Sequence, residues 1–349
     1  MTFGEHLRNF MLENPYDHEE KTWYEYNRIA EKHIIPKIGH VPLFKITPQH
    51  IETYKSIKKV ETRLDGKNTL SSGTINQHLA VIADSLENAF KKGYIGFNPA
   101  RAVKRVEKLK REGPRNHART NCLSMKDQSI FISKLEELYS LRGIKHREID
   151  QHIINTLNNL GFTEKEISSP KVLTKFETIM LYPIIYLAFN TGMRLSELLA
   201  LEWTDINFEK KKLHINKSSH YGIKKEGKQS GHYLSSVKTD KERIIDLADE
   251  DISFLKKHKA EQNRQRLTFK GKYYDNNLVF AKSDGTYLRN DSVSKAFTNF
   301  ANRLGYKVTF HSTRHFHITS LLMMGVPPHM FQHAWGMKEN QLPQISILM

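Results

Sequence analysis

Cysteine is almost missing from this chain. Cys122 is its one thiol in 349 residues, so no disulfide can close within it and no cysteine-based zinc site can be assembled. A reducing cytoplasm suits such a sequence. Long apolar runs are missing as well. The longest, residues 179–189, is too short to cross a bilayer and carries Pro183. The start, Met1-Thr-Phe-Gly-Glu-His6, has neither the charged stretch nor the apolar core of a secretion signal. There is no repeat and no low-complexity tract. Acidic residues are outnumbered: 38 Asp and Glu face 54 Lys and Arg, a formal net charge of +16. That balance suits a polyanionic partner, nucleic acid ahead of a membrane surface.

What is present divides in three. The first hundred residues read as helices. Thr2 and Glu5 have capping-box spacing ahead of Phe3, Leu7, Phe10 and Met11. A second helix is expected over 21–34, with Trp23, Tyr26, Ile29 and Ala30 on one side and Pro36 and Gly39 breaking it. Thr47-Pro48 opens another through Ile51, Tyr54 and Ile57. Ser71 and Thr74 start the clearest one, striped by Ile75, Leu79, Ile82, Leu86, Ala89 and Phe90 and ending at Gly93. Next comes a basic stretch with a Gly113-Pro114 breaker and few apolar anchors: Lys104, Arg105, Lys108, Lys110, Arg111, Arg115 and Arg119. An ordinary hinge need not be so basic, so these residues read as an interdomain linker lying along a phosphate backbone.

From Leu123 a second domain begins, with Ser124 and Asp127 capping a helix that carries Ile130, Phe131, Leu135 and Leu138. Residues 140–170 look like a polar insertion with one short helix. An apolar helix over 174–190 leads to Thr191-Gly192-Met-Arg194-Leu-Ser-Glu197-Leu. Arg194 stands at the mouth of that helix, where Glu197 can hold its side chain or a nearby amide. Residues 212–215 read as a strand, and residues 233–237 and 243–247 as a hairpin around Lys238. Near the end, His311-Ser-Thr-Arg314-His315 opens a helix that Gly325 closes. His311 and Arg314, three apart, share a helical face and could hydrogen-bond two oxygens of one phosphate. A basic, solvated helix start is the bland alternative. The pairs His311/His315 and His329/His333 lack the HExxH pattern or a neighbouring cysteine, and no metal site is expected.

Three motifs in this order resemble the tyrosine recombinase (phage integrase) family: residues 191–198, Lys238-Thr-x-x-x-Arg243-x-Ile-x-Leu247, and His311-x-x-Arg314-His315. The helical half is similar to that family's core-binding domain through His33-Ile-Ile-Pro36-Lys-Ile-Gly39, Ile46-Thr47-Pro48, Thr74-Ile75 and Asn98-Pro99. The resemblance implies a mostly helical fold: an all-helical core-binding domain (1–106), a basic linker (107–122) and a mixed α/β catalytic domain (123–336) with a small antiparallel sheet. It implies a C-shaped clamp on double-stranded DNA, self-association as a tetramer there, and no metal, nucleotide cofactor or membrane. Arg194 and Arg314 match the arginines that clamp the scissile phosphate. Lys238 matches the lysine that protonates the leaving 5′-oxygen, His311 the histidine that assists proton transfer, with Glu197 and His315 in support.

Two departures stand out. Met337 follows Gly336 where the family has His or Trp, and no tyrosine occurs after Tyr306. Residues 337–349 read as an aberrant or truncated tail without the nucleophile. Two functions therefore stay open: a site-specific recombinase of a phage or other mobile element, cleavage-defective as given, or a non-catalytic DNA-binding remnant that occupies recombination sites.

Overall fold

The computed structural model describes residues 1–13, 20–62, 69–107, 123–142, 144, 146–169, 181–223, 230–236, 242–269 and 271–327. These form two compact units, one from residues up to 107 and the other mainly from those after 123. Each has its own apolar core.

The first unit is helical. α1 (Phe3–Glu13) begins at the expected capping box, in which the Thr2 amide donates to Glu5 Oε2 (2.7 Å) and the Glu5 amide to Thr2 Oγ1 (3.2 Å). α2 (Glu20–Ile29) does not stop at Pro36. The chain passes through a π-helical turn (Ala30–Ile34) into α3 (Ile35–Ile38). A proline lacks an amide hydrogen and its ring crowds the carbonyl four residues back. The wider turn lets the Ile35 amide reach the Ala30 carbonyl and sets Pro36 in a first turn, where no donor is needed. α4 (Pro48–Val60) is capped by Thr47 and His50. α5 (Ser72–Lys91) runs through the middle, burying Ile75, Leu79, Ile82, Leu86 and Ala89 against Phe3, Leu7, Ile34, Ile51 and Tyr54. Gly73 in its first turn costs about 1 kcal/mol, against roughly 1.5–3 kcal/mol for each large buried side chain, so packing decides that this helix forms.

The basic stretch starts anchored. Val106 is buried, and the Asn76 side chain exchanges hydrogen bonds with both its amide (2.8 Å) and its carbonyl (3.0 Å). Lys104 and Arg105 are exposed beside it. Lys108, Lys110, Arg111 and Arg115 lie outside the described residues.

Inside this unit Tyr54 and His78 share a hydrogen bond (2.9 Å), and the His33 ring stacks on His78 at 4.9 Å. Burial, with the charges of His33, Lys58 and Arg28, pushes His78 down to about 3. The unfolded chain, with an ordinary histidine, takes up a proton between pH 6.5 and 3 that the folded unit refuses. Stability therefore falls as pH falls through that window, by up to about 1.4 kcal/mol per pH unit for this residue. In urea unfolding at pH 7 and pH 5, His78→Asn should be less stable at pH 7 yet lose less between the two pH values than the parent chain. An equal pH loss in both proteins would refute this account.

The second unit is built around Phe131, Phe189, Phe297 and Phe300, whose rings meet mostly edge-on or tilted. α6 (Met125–Ser140) is capped by Ser124 and buries Phe131, Leu135 and Leu138, while Ile130 is exposed. The stretch over 140–170 is more than a polar insertion. It holds two helices, α7 (Gln151–Asn159) and α8 (Glu164–Ile167), and delivers Ile153, Leu157, Leu160, Phe162 and Ile167 to the core. Ile153, Leu157 and Leu160 fall at helical spacing, a stripe that stands among many polar residues, and they are the buried ones. Arg303 fastens it, donating to both Glu166 oxygens (2.7 and 2.9 Å) and to the Gly161 carbonyl (2.9 Å). α9 (Leu181–Thr191) is buried on nearly every side, and α10 (Leu195–Leu198) follows it after a three-residue turn.

Among the described residues, five strands form two sheets. β1 (Ile206–Asn207), β2 (Lys212–Ile215) and β5 (Arg243–Asp246) are antiparallel in the order β1-β2-β5. β3 (Lys217–Ile223) and β4 (Ser230–Ser236) form a separate ribbon. The hairpin expected between 233–237 and 243–247 is thus not the pairing found. β5 pairs with β2 instead, Leu213 opposite Ile245 and Ile215 opposite Arg243, over the core. Tyr233 faces β3, stacking on His220 at 5.5 Å. Polar and aromatic contacts link β4 to β3, while the Leu213–Ile245 pair and the Lys212–Asp246 ion pair link β5 to β2. Three more helices are described in this unit: α11 (Asp249–Thr268), α12 (Asn290–Arg303) and α13 (His311–Met323).

Candidate active site

The site grows from the end of α9. Thr191 Oγ1 donates to the Leu187 carbonyl (2.6 Å), and the chain then turns at Gly192, whose φ of 62° is left-handed and suits glycine. This turn ends the buried helix and leaves Arg194 extended at the cap of α10. Glu197, in the first turn of α10, reaches back. Its Oε2 accepts from the Arg194 amide (2.9 Å) and its Oε1 from Arg194 Nη1 (2.9 Å). One carboxylate thus fixes both the backbone and the guanidinium of Arg194, the capping-box geometry with an added ion pair.

A second arginine grips the same carboxylate. Arg243, first residue of β5, donates to Glu197 through Nη1 (3.1 Å) and Nη2 (2.6 Å). The Glu197 side chain is only 2% exposed. Burial alone would raise its pKa, but the hydrogen bonds and charge of Arg243, then the amide and charge of Arg194, outweigh it and leave the group lowered and ionised.

α13 brings the other half. The Thr309 amide is capped by Ser312 Oγ (3.2 Å), and Phe310 packs its ring on Phe297. α13 is tied to the end of α9: Phe316 meets Phe189 edge-on at 5.5 Å, His317 Nδ1 donates to the Phe189 carbonyl (2.8 Å), and Arg314 Nη1 donates to the Gly192 carbonyl (2.9 Å). The Gly192 turn that releases Arg194 is therefore the turn that Arg314 holds. Gly325, with φ of 84°, closes α13 as the sequence suggests.

Arg314 is 4% exposed. Burial, with the like charges of Arg194 and Arg243, pulls its pKa down to about 9 despite Glu197. It remains charged at neutral pH. The His311 pKa is lowered by partial burial of the ring, then by His315, Arg314 and Arg194, so the imidazole is neutral at pH 7. The His315 ring stands edge-on to it at 4.8 Å. Arg194, His311 and Arg314, far apart in sequence, thus sense one another's charge, with Glu197 among them and His315 beside His311. Lys238 lies outside the described residues, as does everything after residue 327. Tyr306 is engaged elsewhere, donating to Asp127 Oδ1 (3.1 Å).

Such an arrangement suits a tetrahedral oxyanion. Two placed guanidiniums face charge that develops on phosphoryl oxygens, and a neutral imidazole can carry a proton beside them. Sequence reasoning places Arg243 in a motif but gives it no role. The signal was there: a glutamate forced into the core by its leucine neighbours needs more cationic help than one half-exposed arginine supplies.

Residues 162–344 match the family described as phage integrase, and residues 2–58 match its N-terminal SAM-like domain. A tyrosine recombinase XerC-like protein of Caldanaerobacter subterraneus subsp. tengcongensis is 31% identical over 175 residues, which cover 48% of this chain and less than half, 44%, of that protein. The integrase of Staphylococcus phage L54a is 23% identical over 313 residues, covering 77% of this chain and 87% of the phage protein. Among solved structures, the Tn1549 transposon integrase in complex with a circular intermediate DNA superposes with a TM-score of 0.65 at 16% identity, covering 97% of this chain and 92% of that one. A lambda integrase tetramer bound to a Holliday junction gives 0.62 at 16% identity, covering 98% and 79%. At such identities the likeness is one of fold.

Proposed function

The chain belongs to the phage integrase family, and on that premise we propose that it acts on double-stranded DNA as a site-specific tyrosine recombinase of a phage or other mobile element, in the cytoplasm of its host. The observation that carries this reading is the joint placement of Arg194 and Arg314 around the Gly192 turn, with neutral His311 beside them. In the proposed reaction the two arginines hold the scissile phosphate and stabilise the charge that grows on its oxygens. Lys238 gives the proton that the leaving 5′-oxygen needs. His311 assists that transfer and His315 supports it. A 3′-phosphotyrosyl link would store the bond, so neither metal nor nucleotide cofactor is required. Lys104, Arg105, Lys108, Lys110, Arg111 and Arg115 lie along the phosphate backbone, and four copies assemble on DNA. A second reading, a non-catalytic occupant of recombination sites, is favoured by Met337, which follows Gly336 where the family has His or Trp.

Both readings require DNA binding dominated by phosphate contacts. With six or more phosphates neutralised, log Kd should change with log salt at a slope of about 5 or steeper. Replacing the six basic residues at 104–115 with glutamine should weaken binding and flatten that slope. A slope near zero in fluorescence anisotropy would rule out both readings.

A further inference from the structure

Arg243 has no place in the reaction just described, yet the fold gives it a fixed one. It stands in register with Ile215 at the start of the edge strand β5, and its side chain is 9% exposed, against 32% for Arg194. A guanidinium so enclosed offers little to a DNA phosphate. Both of its terminal nitrogens are turned to Glu197. Glu197 in turn holds Arg194 through backbone and side chain.

We infer that Arg243 is a positioning residue for the proposed reaction: it balances the Glu197 carboxylate, so that Glu197 can fix Arg194 without cancelling the charge Arg194 presents to a phosphate. The arithmetic is simple. A lone Glu–Arg pair is neutral and projects little field. An Arg–Glu–Arg triad carries one net positive charge, and the more exposed member, Arg194, is the one that can present it. The triad separates two demands that a single pair sets against each other, a rigid arginine and a charged one. The sheet supplies the second arginine because β5 pairs with β2 rather than with β4. The inference rests on the reading of Arg194 and Arg314 as a phosphate clamp.

The test uses the full chain and sulfate, a stable anion of phosphate-like shape, titrated calorimetrically, with circular dichroism as the folding control. Arg194→Ala and Arg314→Ala should each abolish the site's sulfate binding. If neither changes it, the clamp itself is wrong, and that failure is separate from a failure of the triad. Arg243→Met should weaken sulfate binding about tenfold, because Glu197 then neutralises Arg194. Arg243→Lys should stay within about threefold of the parent, since the charge is kept though the fork is lost. Adding Glu197→Gln to Arg243→Met should restore binding to within about threefold, because no carboxylate remains to cancel Arg194. A merely structural arginine predicts the opposite, a double variant as weak as the single or weaker. That result, or an Arg243→Met protein that binds sulfate like the parent, overturns the inference. If Arg243→Met alone does not fold, the double variant, which leaves no buried carboxylate at position 197 without its Arg243 partner, decides the matter.

Discussion

Incubated with a nicked suicide substrate and run on a denaturing gel, the 349-residue polypeptide should give no covalent protein–DNA band. The proposed chemistry needs an oxygen nucleophile on a segment that reaches a phosphate placed at Arg194 and Arg314. No tyrosine follows Tyr306 in the sequence, and Tyr306 itself is bonded to Asp127 on the α6 side of the unit. Ser346 is the only hydroxyl after Met337. An alkyl hydroxyl is far harder to ionise than a phenol, whose pKa is about 10, and an aliphatic oxygen without a strong base is a poor substitute. Grafting a tyrosine-bearing family tail after Gly336, with Met337 replaced by His, should bring the band from nothing to a readily stained product. A band from the unmodified polypeptide would point to Ser346 or to a tyrosine outside the expected place. Failure of the graft with DNA binding intact would move the defect into the arginine site.

In that grafted chain, Arg314→Ala should slow single-turnover cleavage by about 10³-fold or more, and Arg194→Ala by a similar factor, with DNA affinity changed far less. The clamp acts on charge that appears in the transition state, whereas affinity is spread over many phosphates. The double variant should be little worse than either single, since the two arginines act on one set of oxygens. Arg314→Lys should not rescue. A lysine keeps a charge but cannot hold the Gly192 carbonyl and a phosphate oxygen from one rigid plane. Rates within about tenfold of the parent for either alanine variant would remove that arginine from the reaction. Circular dichroism separates loss of chemistry from loss of fold.

Much of this was legible in the residues. The stripe of α5, the Thr2–Glu5 box, the Ser124 cap and the Gly325 stop depend on neighbours three or four apart, and local spacing reports them faithfully. Arg194, Glu197, His311 and Arg314 were legible because each belongs to a short motif. What failed was what local spacing does not encode. Pro36 reads as a break, but one π-helical turn absorbs it. Strands around Lys238 read as one hairpin because they are adjacent in sequence. Partner choice was settled by Leu213 and Ile215 needing a cover over the core, which β5 provides. The role of Arg243 was overlooked for the same reason, since it exists only once that pairing is known.

Arg314 also has a consequence for how long the protein lasts in a cell. A guanidinium sunk in the interior, with its pKa pulled down to about 9 by burial and then by like charges, is a load on the native state before any anion arrives. Whatever anion relieves it returns that free energy to the fold, because a ligand that binds only the native state stabilises it by mass action. On the proposed function the second unit would therefore be sturdiest while on DNA and weakest while off it. Since proteolysis in cells tracks the unfolded fraction, copies that have found no target are the ones cleared first. The residue that grips the phosphate would then also act as a timer on the unbound protein.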